Sequence, residues 1–329
     1  MAKAKVFITR RIPEKGMHIV NERCQADVWG GKLPPSREEL LEHVEGIEGL
    51  LCLLSDRIDE KVMDTAAPNL KVISNYAVGF DNIDIKAATK RGIPVGNTPG
   101  VLTDAVADFA FALLMAAARR VVEADQFTHA GKWKTWGPEL LLGADIKGAT
   151  LGIVGFGRIG RAVARRARGF DMKVLYYDPY YEESHGQQVI DARPATLDTI
   201  LRESDFISIH TPLNEDTYHL FNREAFAKMK PTAILINTAR GAVVDPEALY
   251  AALRSGRIAC AALDVMEPEP IPLESPLLKL DNLIVTPHIA SGSKTAREKM
   301  AVIAVENLLA GLNGKPLPHC VNEEVYKEE

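Results

Sequence analysis

Cysteine is scarce in this chain, with four in 329 residues. Cys24, Cys52, Cys260 and Cys320 lie far apart and none forms a CxxC pair. That spacing excludes a zinc-finger ligand set and argues against a disulfide framework, and it fits reduced thiols in a cytoplasmic protein. Long apolar runs are missing too. The longest, Phe109 to Ala118, has ten residues, about half of what a bilayer-spanning helix needs. The N-terminus has basic residues but only Val6, Phe7 and Ile8 before polarity returns, which argues against a secretory signal. Basic excess is absent, since the net charge is −5 and the pI about 6.0. A counterion-displacing nucleic-acid surface is therefore not expected. No fixed-period repeat, low-complexity tract or metal-ligand cluster stands out. What remains is ordinary for a globular chain, 47% apolar and 25% charged, with length enough for two cores.

The first hundred residues alternate short β-rich runs with helical patterns. Strands are expected at 5–9, 49–54 and 71–74, and helices at 37–44, 59–67 and 83–90. Asn97-Thr98-Pro99-Gly100 breaks the pattern as a hinge. A long alanine-rich helix follows, at 102–118, with Thr103 and Asp104 in its first turn, where an acid complements the helix dipole. From Thr150 a second series supplies strands at 150–155, 173–177, 206–210, 233–238, 258–264 and 283–286, with helices between them. The alternation predicts two α/β domains, each a Rossmann-like, doubly wound parallel sheet. A last helix, 295–312, is expected to return to the first domain, which otherwise lacks a covering helix. The expected division is a discontinuous domain, 1–99 plus 288–329, around a continuous dinucleotide-binding domain, 100–287.

Gly155-Phe156-Gly157-Arg158-Ile159-Gly160 fits GxGxxG. The string alone is weak evidence. Here a strand precedes it, a helix follows it, and an acid, Asp178, closes the next strand 18 residues beyond Gly160. In that setting the glycines allow a tight turn and close backbone approach, and a diphosphate rests on unpaired helix N–H groups. Arg158 adds a cation. The bland alternative is a glycine-rich turn that binds nothing. A carboxylate at Asp178 accepts from ribose hydroxyls and repels a 2′-phosphate. Pro179, Tyr180 and Tyr181 follow it with no Lys or Arg, so NAD is expected and NADP less so.

Three further residues sit where strands should end, the place ligands take in such sheets. Arg240, in Asn237-Thr238-Ala239-Arg240-Gly241, can grip a carboxylate with two parallel hydrogen bonds and polarise a neighbouring keto oxygen. A solvated loop arginine is the bland reading. His288, in Thr286-Pro287-His288-Ile289, can protonate that oxygen as the carbon is reduced, although a lone histidine more often has a structural role. A carboxylate beside it favours the charged imidazole. Glu269 and Glu267 both compete for that place, with prolines stiffening the loop between them.

These motifs, together with Val78-Gly79-Phe80-Asp81-Asn82-Ile83-Asp84, Asn97-Thr98-Pro99-Gly100 and Asp264-Val265 leading to Glu269-Pro270, resemble the D-isomer-specific 2-hydroxyacid dehydrogenases over essentially the whole length. Within that family the chain looks most like the glyoxylate/hydroxypyruvate reductases. The resemblance implies reduction of a small 2-keto acid, with Arg240 on substrate, His288 as acid/base and Glu269 as its partner. It implies that the Val78 and Gly79 N–H groups hold the substrate carboxylate, in a cleft closed by hinges at 98–100 and 286–290. It also implies that Thr103, Pro212, Thr238, Ala239 and Asp264 line the nicotinamide, with Asp264 on the carboxamide. By residue chemistry alone Asp264 is equally a loop or cap carboxylate. Some reductases of the group place a small residue followed by Arg where Asp178-Pro179 stand, so their NADPH preference does not carry over. Leu54, Trp136 and Ser291 are expected to bound the substrate pocket. The region of Trp133 and Trp136 implies a homodimer, with Trp136 either reaching the neighbour's site or simply burying area. Phosphoglycerate- and D-lactate-type dehydrogenases are the enzymatic alternatives, although no extra regulatory domain or added basic cluster points to the former. Formate dehydrogenases carry Gln in place of Glu269. A corepressor-like NAD sensor is the alternative of another class, and the short segment after the last helix argues against it.

Overall fold

The computed structural model describes residues 3–180 and 191–327. Tyr181 lies outside the described residues. The chain divides into two compact units, Met1–Leu102 with Gly292–Glu329, and Thr103–Ser291.

The first unit begins β1 (Ala4–Ile8), α1 (Glu14–Arg23), β2 (Cys24–Val28), α2 (Arg37–His43), β3 (Gly49–Cys52), α3 (Glu60–Ala66), β4 (Val72–Asn75), α4 (Ile85–Lys90) and β5 (Val95–Gly96). Its sheet is parallel, in the order β2-β1-β3-β4-β5. β3 and β4 are buried along their whole length, as strands covered on both faces must be. Helix starts are set by local chemistry. Ser36 and Glu39 form a reciprocal capping box before α2, and Asp59 and Asp84 cap α3 and α4, satisfying N–H groups that no helix can pair internally.

The second unit runs α5 (Thr103–Ala118), α6 (Val121–His129), β6 (Thr150–Val154), α7 (Arg158–Ala167), β7 (Lys173–Tyr177), β8 (Ala192–Pro194), α8 (Leu197–Glu203), β9 (Phe206–Ile209), α9 (Arg223–Lys228), β10 (Ile234–Asn237), α10 (Pro246–Arg254), β11 (Cys260–Leu263) and β12 (Leu283–Val285). Among the described residues these strands form one parallel sheet, β12-β11-β10-β9-β6-β7-β8. The order reverses direction between β6 and β9, which leaves a crevice at their carboxyl ends. Buried alanines of α5, among them Ala107, Ala110 and Ala117, pack in one cluster with Ala162 and Ala164 of α7 and with Leu151 and Ile153 of β6. Small side chains there let helix and sheet approach closely.

The chain then returns to the first unit as α11 (Lys294–Leu312), capped by Ser293. The Ser74 hydroxyl donates to the Ala304 carbonyl at 2.7 Å. Gly311 lies so close to Val72 that a Cβ would meet its side chain at 2.5 Å. This is the covering helix expected from the sequence. The division itself falls a few residues later than expected and leaves His288 and Ser291 with the second unit. The reason is local: the turn that holds His288 is tied to β11 through Asp264.

Candidate active site

The glycine-rich turn divides its work among three positions. Gly155 has φ +90°, and a Cβ there would stand 2.6 Å from the His210 carbonyl carbon. Only glycine takes that conformation and that contact freely. Gly160 presses its α-carbon against the Gly155 carbonyl, so a side chain would overlap it. Over Gly157 the space is open, with nothing within 4 Å of a notional Cβ. It is the N-cap of α7 and makes no side-chain capping bond. Its opening lies beside helix N–H groups that lack intrahelical partners, the setting a diphosphate requires. Arg158 and Ile159 start the helix.

Asp178 follows β7 and faces this turn. Its carboxylate accepts from the Phe156 N–H at 2.7 Å and from the Tyr180 N–H at 3.0 Å, which holds it in place while leaving lone pairs for hydroxyl donors. Thr238 contributes a buried hydroxyl with no hydrogen-bond partner among the described residues, an unmet demand that a bound polar group would satisfy. Pro212 presents a backbone carbonyl already taken by Thr217. Thr103 opens α5. The open space at Gly157, the fixed carboxylate and the orphaned hydroxyl all suit a dinucleotide. His210 sits beneath the turn, bonded through Nε2 to Ser208 at 2.8 Å. Burial pushes its pKa down to about 3, so it stays neutral and acts as packing rather than as an acid.

Arg240 follows β10 on a loop that Asn237 shapes. The buried Asn237 side chain donates to the Arg240 carbonyl at 2.8 Å and accepts from the Ala239 N–H at 2.9 Å. The Arg240 guanidinium donates to the Ala239 carbonyl. Gly241 then passes so near Met266 that any Cβ would overlap the Met266 carbonyl. This glycine serves loop-on-loop packing, a constraint that its place after an arginine does not reveal.

The His288–Glu269 pair is formed. His288 Nδ1 lies 2.6 Å from Glu269 Oε1, and Glu269 Oε2 accepts from the Met266 N–H at 3.2 Å. Of the two rival carboxylates it is Glu269 that meets His288; Glu267 turns instead to His219, 2.6 Å away. Burial on its own would raise the Glu269 carboxyl. The hydrogen bond and charge of His288, the Met266 N–H and the Arg240 guanidinium together outweigh it and hold the group below the ordinary glutamate range.

Asp264 is almost fully buried after β11. Its carboxylate accepts from the Thr286 hydroxyl at 2.6 Å, the Ile289 N–H at 2.9 Å and the Ala290 N–H at 2.6 Å, and its carbonyl accepts from the His288 N–H at 2.9 Å. The loop-carboxylate alternative therefore describes its own hydrogen bonds. It shapes the turn in which His288 takes φ +53°, a backbone region uncommon for non-glycine residues and met at functional turns. Ser291 ends this segment, partly buried.

In the first unit, Val78 and Gly79 follow β4. The Ala77 carbonyl accepts from the Thr98 N–H at 2.9 Å, and the Val78 carbonyl from Asn97 Nδ2 at 2.8 Å. In a trans peptide the N–H points opposite to the carbonyl, so these two bonds aim the Val78 and Gly79 N–H groups in fixed directions. Asn75 Nδ2 holds the Gly79 carbonyl at 2.9 Å. Neither N–H donates to a described residue, so both are available to an anion. Leu54 lies on the neighbouring loop, shaped by Asp56, which accepts from the Leu53 N–H at 2.7 Å. Trp136 is 78% exposed on the segment after α6.

The chain is also similar to known proteins over nearly its whole length. Residues 111–290 match the model of the D-isomer specific 2-hydroxyacid dehydrogenase NAD binding domain. A glyoxylate reductase of Korarchaeum cryptofilum is 53% identical over 326 residues, 99% of this chain and 98% of the relative. A solved structure from Thermus thermophilus superposes with a TM-score of 0.90 at 49% identity, covering 96% of this chain and 99% of the other. The NADPH-dependent glyoxylate/hydroxypyruvate reductase of Sinorhizobium meliloti, solved with NADP and malonate, gives a TM-score of 0.84 at 29% identity, covering 100% and 99%.

Proposed function

The chain belongs to the D-isomer specific 2-hydroxyacid dehydrogenase family, and from that premise we propose that it reduces a small 2-keto acid, glyoxylate or hydroxypyruvate, to the D-2-hydroxy acid with NADH. The observation that carries this reading is the His288–Glu269 pair at 2.6 Å, near enough to Arg240 for that cation to act on Glu269. Arg240 binds the substrate and polarises its keto oxygen as negative charge develops there. The Val78 and Gly79 N–H groups hold the substrate carboxylate. When bound, the nicotinamide supplies the hydride. His288 keeps Nδ1 toward Glu269, so a proton on Nε2 is the one given to the keto oxygen. Glu269 fixes the ring. Thr238, Ala239, Pro212, Thr103 and Asp264 belong to the nicotinamide side of this reading, and Asp178 to the adenosine ribose.

The test is a spectrophotometric panel of glyoxylate, hydroxypyruvate, pyruvate and bulkier 2-oxo acids, run with NADH and with NADPH. The expected result is turnover of glyoxylate and hydroxypyruvate, with NADH ahead of NADPH by about tenfold or more in kcat/KM, because the Asp178 carboxylate repels a 2′-phosphate. Asp178→Ser combined with Pro179→Arg narrows that gap. A wild-type preference for NADPH removes the Asp178 argument.

Glu269 also predicts a pH effect. Held below the ordinary glutamate range, it stays ionised at neutral and mildly acid pH, and its support of the imidazolium is lost only as pH falls through that depressed value. In Glu269→Gln the support is absent at every pH. The wild-type rate should therefore fall on the acid side as Glu269 takes up its proton, a limb that the variant lacks. An unchanged profile counts against the pair.

A homodimer is part of the same reading. Val121, Trp133, Trp136 and Leu142 are 53%, 61%, 78% and 64% exposed, four large apolar side chains within one stretch of sequence that a second copy would cover. Sedimentation as a monomer contradicts it. Four free thiols support a reducing, cytoplasmic setting.

A further inference from the structure

We infer that His219 and Glu267 are positioning residues: a second imidazole–carboxylate pair that pins the loop bearing Glu269 and so sets the reach between Glu269 and His288. The inference rests on the roles proposed above for those two residues, and it adds a pair outside them.

Glu267 Oε2 lies 2.6 Å from His219 Nε2, and both side chains are about one-third exposed, at 31% and 29%. Two residues on, Glu269 makes its own 2.6 Å contact with His288. The short 264–270 loop is thus held by two carboxylates that go to two different imidazoles. Swinging the loop would break one contact or the other.

The support behind His219 is as specific as the contact. His219 takes φ +48°, a left-handed conformation that side chains seldom adopt. Its N–H donates to the Ala242 carbonyl at 2.8 Å, and the Phe221 N–H donates to the Val243 carbonyl at 3.0 Å. The imidazole stacks on Tyr218, with ring centroids 4.0 Å apart. The segment bearing His219 is therefore strapped to the loop that follows Arg240. That loop in turn touches the 264–270 segment through Gly241 and Met266. Backbone packing brings these loops together at Gly241. The His219–Glu267 bond is a second point, and two points stop rotation of the segment that ends in Glu269.

Removing the second point leaves substrate and cofactor groups in place and loosens only the acid/base pair. His219→Ala and Glu267→Ala should each lower kcat by about tenfold to a hundredfold, the scale of a small misplacement at a reacting centre. KM for the keto acid and the Kd for NADH should stay within about twofold of wild type. The double variant should lose no more than either single one, as expected of partners in one contact. Glu267→Gln keeps an oxygen that accepts from Nε2–H, and should recover most of the loss even if the alanine variants fold poorly. His288→Ala and Glu269→Gln serve as reference arms. Full turnover in His219→Ala and Glu267→Ala beside large losses in the reference arms overturns the positioning pair alone. A raised KM with unchanged kcat overturns it as well, as does a Glu267→Gln variant as impaired as Glu267→Ala. Undiminished turnover in the reference arms instead overturns the roles of His288 and Glu269.

Discussion

His288→Ala should lower turnover by about 10²–10⁴-fold, the range that a positioned proton donor contributes, while NADH still binds. The separation follows from where the residue is fixed. Asp264 holds the 286–290 turn through the Thr286 hydroxyl and the Ile289 and Ala290 N–H groups. None of these bonds uses the His288 side chain, so truncating it leaves the turn standing. The glycine-rich turn and Asp178 are elsewhere in the same unit and keep their own bonds. Titration of NADH fluorescence should give a Kd close to wild type, and stopped-flow mixing with glyoxylate should find the chemical step slowed. Near-normal turnover would end the assignment of His288 as the acid.

Arg240→Lys is the second large effect. A lysine keeps the positive charge but loses the planar fork that binds two oxygens at once. The fall in kcat/KM should be about 10²–10³-fold, comparable with removing one donor from a site of developing negative charge. The loop should not collapse, because Asn237 grips backbone atoms of Ala239 and Arg240 rather than the guanidinium. Steady-state kinetics with an unchanged melting temperature would separate this from unfolding. A loss below threefold would make Arg240 a solvated loop residue after all.

Much of this site was legible in the sequence, and the parts that were not have a common cause. The glycine-rich turn could be read because its logic is local: strand, turn, helix and acid succeed one another within a few tens of residues. Arg240 and His288 could be placed because they follow apolar strands. Local residue chemistry leaves Glu267 and Glu269 as rivals and only the family resemblance points to Glu269, since the choice depends on which imidazole each side chain meets, and His219 lies some fifty residues upstream. The need for glycine at Gly241 leaves no local mark either, because it comes from the close approach of Met266. In the first unit, α1 and β2 went unread. The β2 sequence Cys-Gln-Ala-Asp-Val is half exposed at the sheet edge, so it lacks the continuous apolar run that marks a central parallel strand. The compact units divide at Gly292 rather than at 288, and the tie between Asp264 and the His288 turn, which spans two strands, leaves no mark in the local pattern.

The return of α11 has a bearing on how the polypeptide matures as it leaves the ribosome. Residues 103–291 form a continuous unit and can fold as soon as they have emerged, in line with the tendency of domains to fold as units during synthesis. The N-terminal half-sheet, though made first, must wait for the stretch from Gly292 onward to shelter Ser74 and Val72. Residues that precede the continuous unit along the chain thus become native after it, and the nascent chain has an open apolar face to guard in the interval.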